Sequence, residues 1–385
     1  MSLEALVELS RNYGKNSDYV LAGGGNTSWK DGETLYVKAS GTPLAEAVPG
    51  SFVKMDRKAL SRIWEKSYPE SSAERESAVL ADLMAARKPG EENKRPSVET
   101  LLHDILPFAF VVHLHPALVN GLTCSQQGKK AAEEIFGKEI IWIAPVNPGY
   151  VLARTVKAAI DDYKSKNGKT AAIVFLQNHG VFVGDNSAEG IKEIYGEIMQ
   201  KIGARIKRRA DFSEEKRESL NLSGTLTLIE EMKEILAELA GAAVFMRCVE
   251  VSALVKDRAS FAPVSSAFTP DHIVYAGSEP LFTEASDRGT EVRRSATGAS
   301  LRADWEKFKI KTGWNARIAA VQGLGVFGLG ATEKAALLAL ELFRDAIKVA
   351  VYSQSFGGPL FMTEDKIDFI NNWEVERYRA NVSAK

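Results

Sequence analysis

Two short apolar stretches that carry histidines decide how this chain is interpreted: VVHLHP at residues 111–116 and FLQNHG at residues 175–180. Both have the apolar character of buried strands. Side chains two residues apart on a strand point to the same face, so His113 and His115 are expected side by side. The glycine after His179 permits a tight turn that leaves this third imidazole at a strand end. Three neutral imidazoles are a typical donor set for catalytic Zn²⁺; packed core histidines are the alternative.

Turns rich in glycine, serine, threonine and asparagine precede these strands. They are GGNTSWK at 24–30, SGT at 40–42 and PS at 96–97. Backbone N–H groups and hydroxyls in such turns, with a lysine nearby, can form an anion-binding nest. Each segment taken alone is also compatible with an ordinary turn.

A single glutamate stands between these two groups of residues. Glu99 follows Ser97 by two positions, in a helix predicted over residues 98–106 with Ser97 as its N-cap. His103, four residues further on, shares its helix face. A carboxylate in a first turn usually stabilises the helix dipole. Between an anion site and a metal, it is instead a candidate acid/base.

The composition limits the classes of function. The 385 residues are 45% hydrophobic and 26% charged, as in a protein with a sizeable core. The 49 Lys and Arg nearly balance the 50 Asp and Glu, so we expect no nucleic-acid or membrane partner. Cys124 and Cys248 suit a reducing compartment, and the N-terminus does not resemble a signal peptide. We therefore expect a cytoplasmic protein.

Strands and helices are mixed in both halves of the chain, which predicts an α/β or α+β class. The run at 205–218 is first basic and then acidic, with almost no apolar residues, and predicts a solvated helix end and linker. The expected domains are residues 1–215, with the metal site, and residues 225–385, a smaller mixed α/β domain.

Two pairs of similar segments indicate a degenerate internal repeat. QNHGVF at 177–182 is similar to QGLGVF at 322–327, and a predicted helix follows each. VKASGTPL at 37–44 is similar to VYAGSEPL at 274–281 with a larger offset. Chance similarity between short glycine-containing turns is the alternative.

Five motifs in order, GGGNTSWK, KASGTP, RPSVETLLH, VVHLHP and LQNHG, resemble the class II aldolase/adducin family over residues 1–210. This resemblance implies a three-layer fold with a central, mainly antiparallel sheet flanked by helices. The part beyond 215 is more weakly similar to the region after the aldolase domain in rhamnulose-1-phosphate aldolases fused to a short-chain dehydrogenase. FTPDH at 268–272, GLG at 323–325 and NWEVE at 372–376 carry that similarity.

The resemblance also implies roles for individual residues. Zn²⁺, or another divalent metal, would be bound by His113, His115 and His179, and Glu99 would be the catalytic acid/base. The residues implied to hold the substrate phosphate are Asn26, Ser28, Ser40, Gly41 and Ser97. The implied reaction cleaves a ketose 1-phosphate, of the rhamnulose-1-phosphate or fuculose-1-phosphate type, to dihydroxyacetone phosphate and an aldehyde. The small-molecule partner is then a sugar phosphate, and a homo-oligomer, most simply a tetramer, is expected.

Three other functions compete with this interpretation. A sugar-phosphate epimerase or dehydratase would use the same metal site, although epimerases of the family tend to have aspartate where this chain has Glu99. A non-enzymatic adducin-like module would lose the metal ligands. An NAD-linked oxidoreductase would use GLGVFG at 323–328, which fits G-x-G-x-x-G but comes late in the chain.

Overall fold

The computed structural model describes residues 2–215, 222–285 and 290–374. The chain divides into two compact units. Unit 1 contains the residues up to Ile206 and a C-terminal segment from Asn372, and unit 2 contains Lys207–Asn371. The division between Ile206 and Lys207 falls within the charged run at 205–218, of which residues 216–218 lie outside the described residues. No described helix is both long and apolar enough to cross a membrane.

Unit 1 is built on a seven-stranded sheet in the order β3-β2-β1-β4-β7-β6-β5. The strands are β1 (Asn26–Lys30), β2 (Thr34–Lys38), β3 (Phe52–Asp56), β4 (Phe110–Leu114), β5 (Ile140–Ile143), β6 (Ile173–Leu176) and β7 (Gly180–Asp185). Neighbouring strands are antiparallel except for β5 and β6, which are parallel. The sheet is thus mainly antiparallel, as the family resemblance implied.

Two groups of helices cover the two faces of this sheet. One group comprises α1 (Ser2–Gly14), α5 (Ala117–Thr123), α6 (Gly128–Phe136) and α8 (Ala188–Gly203). The other comprises α2 (Arg57–Ile63), α3 (Ser72–Ala85), α4 (Thr100–Ile105) and α7 (Tyr150–Asn167). Val111 and Phe182 belong to the apolar core shared with the second group. Because side chains alternate along β4, His113 faces the same layer as Val111.

Unit 2 contains a four-stranded sheet in the order β8-β11-β10-β9. Its strands are β8 (Ala242–Met246), β9 (Leu281–Thr283), β10 (Ile318–Val321) and β11 (Gly325–Gly330). Its helices are α9 (Leu222–Ala240), α10 (Val249–Leu254), α11 (Arg258–Phe261), α12 (Pro270–Ala276), α13 (Thr290–Thr312), α14 (Glu333–Ser353) and α15 (Glu364–Asn372). Residues Leu228, Met232 and Leu236 of α9 pack with Trp305 of α13 and Phe327 of β11 in its core.

The sheet of unit 2 has the same strand order and directions as β4-β7-β6-β5 in unit 1. In each sheet an antiparallel hairpin has an antiparallel neighbour on one side and a parallel neighbour on the other. The first and last residues of β10 and β11 each lie 145 positions after those of β6 and β7. Ser187 and Thr332, which cap the helices that follow, keep this spacing. The similarity of QNHGVF to QGLGVF therefore coincides with equivalent structure.

The second pair of similar segments has no such basis, and that prediction was wrong. Val37 lies on β2, whereas Val274 lies on helix α12. The glycines of GLGVFG lie in the turn and second strand of the β10–β11 hairpin, whose strands are antiparallel. A dinucleotide fingerprint would instead end a strand and open a helix in a parallel unit.

Two local expectations also need correction. Helix α4 begins at Thr100, and the N-cap position is occupied by Glu99 rather than Ser97. The basic run is not wholly solvated, because Arg208 makes a bidentate ion pair with Glu250 at 2.6 and 2.8 Å.

Candidate metal centre and active site

The three histidines of the two decisive stretches converge in unit 1. His113 lies on β4, His115 follows that strand, and His179 occupies the turn between β6 and β7. The Nε2 atom of His113 is 2.8 Å from Nε2 of His115 and 3.4 Å from Nε2 of His179. One nitrogen from each ring lies within 4.8 Å of the others. Strand β7 brings the turn to His113, because β4 and β7 are paired neighbours.

The hydrogen bonds of His113 fix which of its nitrogens is available. Its Nδ1 lies 3.0 Å from the carbonyl oxygen of Val181, which can only accept, so Nδ1 carries the proton. In the neutral ring the lone pair is then on Nε2, which faces the other two rings. Phe182 stacks on the His113 ring with centroids 4.0 Å apart and restricts its rotation.

This arrangement fits a divalent metal. Tetrahedral zinc with Zn–N bonds of about 2.0–2.1 Å separates its ligand nitrogens by about 3.3 Å. The two Nε2 separations, 2.8 and 3.4 Å, are close to that value. A backbone carbonyl behind one ring is also the usual support for a ligating histidine. The rings can therefore hold a metal with small adjustments.

The backbone around His179 explains the glycine beside it. Asn178, not the glycine, has the left-handed conformation, with φ of 58°, which asparagine adopts more readily than most residues. Gly180 is required by close approach instead. A Cβ atom there would lie 2.5 Å from the Leu114 carbonyl oxygen and 2.7 Å from Cδ2 of His115. Asn178 thus permits the turn, and Gly180 permits the close packing against Leu114 and His115.

Glu99 places a carboxylate beside this triad. Its Oε1 is 3.2 Å from Nε2 of His113 and 3.8 Å from Nε2 of His179, and its Oε2 accepts a 3.5 Å hydrogen bond from Asn26. Burial raises the pKa of Glu99, but the neighbouring imidazoles, His113 foremost, hold that pKa well below its usual value. The carboxylate is therefore ionised at neutral pH and can accept a proton.

A buried polar cluster lies behind Glu99. The hydroxyl of Ser28 is 2.8 Å from Nδ1 of His103, and the ammonium of Lys30 donates to the His103 carbonyl. Burial lowers the pKa of His103 to about 3 and that of Lys30 to about 7. Ser28 is fully buried, so the structure places its hydroxyl in this cluster rather than at an open anion site.

The other residues expected to bind phosphate come from adjacent segments. An antiparallel bridge pairs Ala39 with Pro96, and the N–H of Ser40 donates to the Arg95 carbonyl at 2.9 Å. These contacts bring the turn that contains Gly41, with φ of 81°, beside the turn before α4. There the Ser97 hydroxyl accepts the N–H of Glu99. The Asn26 side chain lies in the same region, because its amide donates to the Glu99 carboxylate.

Sequence reasoning missed Lys38 in this region. The side chain is buried, and its Nζ donates to the Thr42 carbonyl at 2.8 Å, across the SGT turn. The signal was a lysine immediately before a glycine-containing polar turn in KASGTP. The lysine that ends the glycine-rich turn at 24–30 is Lys30, and the structure places it in the buried cluster with His103.

Comparison with known proteins decides the family. The profile described as "Class II Aldolase and Adducin N-terminal domain" matches residues 4–196, half of the chain. The chain belongs to the class II aldolase/adducin family. The site just described lies within the matched residues of this family member.

Among proteins similar to this family member is one from Bacillus subtilis (strain 168) named "Uncharacterized oxidoreductase YuxG". It is 25% identical over 426 aligned positions, which cover 99% of this chain and 58% of that protein. The chain thus spans little more than half the length of this curated relative.

Solved structures similar to the chain cover about half of it. The N-terminal class II aldolase domain of a Thermoplasma acidophilum protein is 25% identical, with a TM-score of 0.45, over 53% of this chain and 93% of that one. An L-fuculose-1-phosphate aldolase from Thermus thermophilus is 17% identical, with a TM-score of 0.33, over 52% and 90%.

Proposed function

We propose that this protein is a metal-dependent aldolase that cleaves a ketose 1-phosphate to dihydroxyacetone phosphate and an aldehyde. The observation that carries the proposal is the ionised Glu99 carboxylate, 3.2 Å from a nitrogen of a convergent histidine triad. Membership of the class II aldolase/adducin family supports a lyase. A proton acceptor next to a metal position is what retro-aldol chemistry requires.

The triad would hold Zn²⁺ or another divalent cation through the three Nε2 atoms. When bound, the metal supplies Lewis-acid polarisation of substrate oxygens. Glu99 acts as the acid/base and moves the proton at the substrate carbon that becomes nucleophilic. Its hydrogen bond from Asn26 orients the carboxylate, since the Asn26 amide donates to Oε2 while Oε1 faces His113.

The substrate phosphate would be held by side chains and N–H groups of the paired turns: Asn26, Lys38, Ser40, Gly41 and Ser97. Lys38 supplies the positive charge that the two hydroxyl residues lack. Ser28 acts indirectly by fixing the ring of His103 behind Glu99. Holding the phosphate orients the reacting carbons relative to the triad, which lowers the entropic part of the barrier.

The test is a screen of the metal-loaded protein against ketose 1-phosphates, with dihydroxyacetone phosphate detected by coupled reduction to glycerol phosphate. We expect dihydroxyacetone phosphate from at least one substrate, loss of activity with a chelator, and recovery when Zn²⁺ is restored. The His113→Ala variant is the control for metal-independent cleavage.

Two results of this screen would contradict the proposal. A ketose phosphate converted to an epimer without release of dihydroxyacetone phosphate would indicate an epimerase on the same site. Turnover that survives both the chelator and His113→Ala would exclude the triad from the reaction. Light scattering of the same sample tests the expected tetramer.

A further inference from the structure

An ion pair joins the C-terminal segment of unit 1 to the candidate anion site. The Arg95 guanidinium donates to both carboxylate oxygens of Glu374, at 2.7 and 3.2 Å. The Arg95 side chain is only 18% exposed, whereas that of Glu374 is 68% exposed. The hydrogen bond from Arg95 lowers the pKa of the Glu374 carboxyl, which is therefore ionised. A largely buried guanidinium thus has an exposed counter-ion.

The pairing of the adjoining segments places Arg95 beside the candidate anion-binding residues. The antiparallel bridge between Ala39 and Pro96, with the Ser40 N–H donating to the Arg95 carbonyl at 2.9 Å, holds the two segments side by side. Lys38 and Ser40 flank Ala39 on one segment, and Arg95 and Ser97 flank Pro96 on the other. Two cations and two hydroxyls therefore come from the residues next to this bridge.

We propose that Arg95 binds the phosphate group of the substrate, and that Glu374 is its counter-ion when no substrate is present. The inference rests on the proposed function, because it adds Arg95 to the proposed phosphate-binding residues and has the Glu374 carboxylate compete with phosphate for Arg95. A planar guanidinium that already holds two carboxylate oxygens has the geometry to hold two phosphate oxygens.

The exchange of one anion for the other is favoured by the exposure of Glu374. An ion pair with one exposed partner contributes little to stability, because water replaces the lost contact. A phosphate dianion carries more charge and meets Lys38 and the turn N–H groups as well. Binding of substrate then releases the carboxylate at the start of the C-terminal segment.

The experiment measures binding of inorganic phosphate to the full-length, metal-loaded protein by calorimetry. Glu374→Gln removes the competing charge and should tighten phosphate binding by about two- to fivefold, the range for a partly exposed ion pair. Arg95→Gln should weaken it by about tenfold or more. In the double variant, the gain from Glu374→Gln should disappear. Glu364→Gln, at an exposed position at the start of α15, is the matched control and should change nothing.

Three results would overturn the inference. The first is unchanged or weaker phosphate binding in Glu374→Gln, and the second is a gain in binding that persists without Arg95. The third is no measurable phosphate binding in any variant. Metal content, measured on every variant, identifies a chain that has misfolded, and Arg95→Lys then supplies a milder substitution. A protein that shows the expected pattern but cleaves no ketose 1-phosphate refutes only the aldolase; an aldolase whose KM ignores Glu374→Gln refutes only this inference.

Discussion

Glu99 occupies the N-cap position of α4, yet its side chain makes no capping hydrogen bond. The cost of leaving an N-cap unused is about 1 kcal/mol of helix stability. The carboxylate faces His113 and Asn26 instead. This use of the side chain agrees with a role in chemistry rather than in helix stability.

Glu99→Gln tests that role. The amide keeps the shape and can still contact Asn26, but it cannot accept a proton. We expect kcat to fall by about 10²–10⁴, the usual contribution of one acid/base group, with metal content unchanged. The measurements are turnover on the substrate found by the screen and metal analysis of the same sample.

Asp104→Asn, on the same helix, is the control for loss of a carboxylate without loss of the base. Asp104 pairs with Arg57 at 2.6 Å, so its loss should affect stability more than turnover. If Glu99→Gln lost its metal, Glu99 would be a ligand rather than the base. Near wild-type turnover would remove it from the mechanism.

The equivalent hairpins β6–β7 and β10–β11 offer a matched test between elements. A Cβ at Gly180 would lie 2.5 Å from the Leu114 carbonyl and 2.7 Å from the His115 ring. At the equivalent Gly325 it would lie 2.8 Å from the Met246 carbonyl and 2.6 Å from the Phe245 ring. The same substitution therefore strains both hairpins, but only one of them carries candidate metal ligands.

Gly180→Ala should displace His115 and weaken metal binding by about fivefold or more, because overpacking of this kind typically costs about 1–3 kcal/mol. Gly325→Ala should lower the thermal stability of the chain while metal affinity stays at the wild-type value. Both are measured by metal titration and by thermal unfolding. Equal metal affinity in the two variants would contradict the placement of His115 in the site.

Strand β1 carries a lysine whose burial should make stability depend on pH. The unfolded chain keeps Lys30 protonated up to its ordinary pKa near 10.4, whereas the folded chain releases that proton above about 7. The unfolded state thus binds more protons between about pH 7 and 9, so stability rises with pH in this interval. The Lys30 contribution to that rise is about 2 kcal/mol.

Lys30→Met keeps the apolar stem and removes the titrating group. Between about pH 7 and 9, the free energy of unfolding of the metal-free wild-type chain should rise by about 2 kcal/mol relative to the variant. Denaturant unfolding at both pH values measures the difference. Parallel pH profiles would show that Lys30 keeps its proton when folded.

On the scale of the whole molecule, unit 2 repeats the strands of the metal site without its ligands. By register, Phe245 on β8 stands where His113 stands on β4, since each pairs with the equivalent phenylalanine of the next strand. Arg247 and Leu324 then occupy the positions of His115 and His179. Arg247 donates to the carbonyls of Gly323 and Leu324 and pairs with Glu215 at 2.8 Å.

We therefore expect one metal ion per chain, bound in unit 1. Replacement of His113, His115 and His179 by alanine should reduce the stoichiometry to zero. His272→Ala is the control: this histidine of unit 2 is buried against Asp345, and its loss should leave one metal per chain. Elemental analysis of dialysed protein gives the numbers, and a second ion per chain would contradict this account.

Several features of this protein depend on local sequence and are predictable from it. The alternation of side chains along a strand placed His113 and His115 on one side. Thr332 at the start of α14 caps that helix through its hydroxyl. These two features follow from the conformational preferences of neighbouring residues, which act over a few positions of the chain. The mainly antiparallel sheet was implied by the family resemblance of the five motifs and not by such local preferences.

Other features were decided only by the tertiary structure. Ser28 bonds to His103, because β1 is inserted between β2 and β4 and faces α4. Arg95 pairs with Glu374, and Arg247, at the position equivalent to His115, donates to the Gly323 carbonyl. Both contacts join residues far apart in sequence. The physical reason is that such contacts depend on strand order and packing, to which distant segments contribute jointly, so no local pattern encodes them.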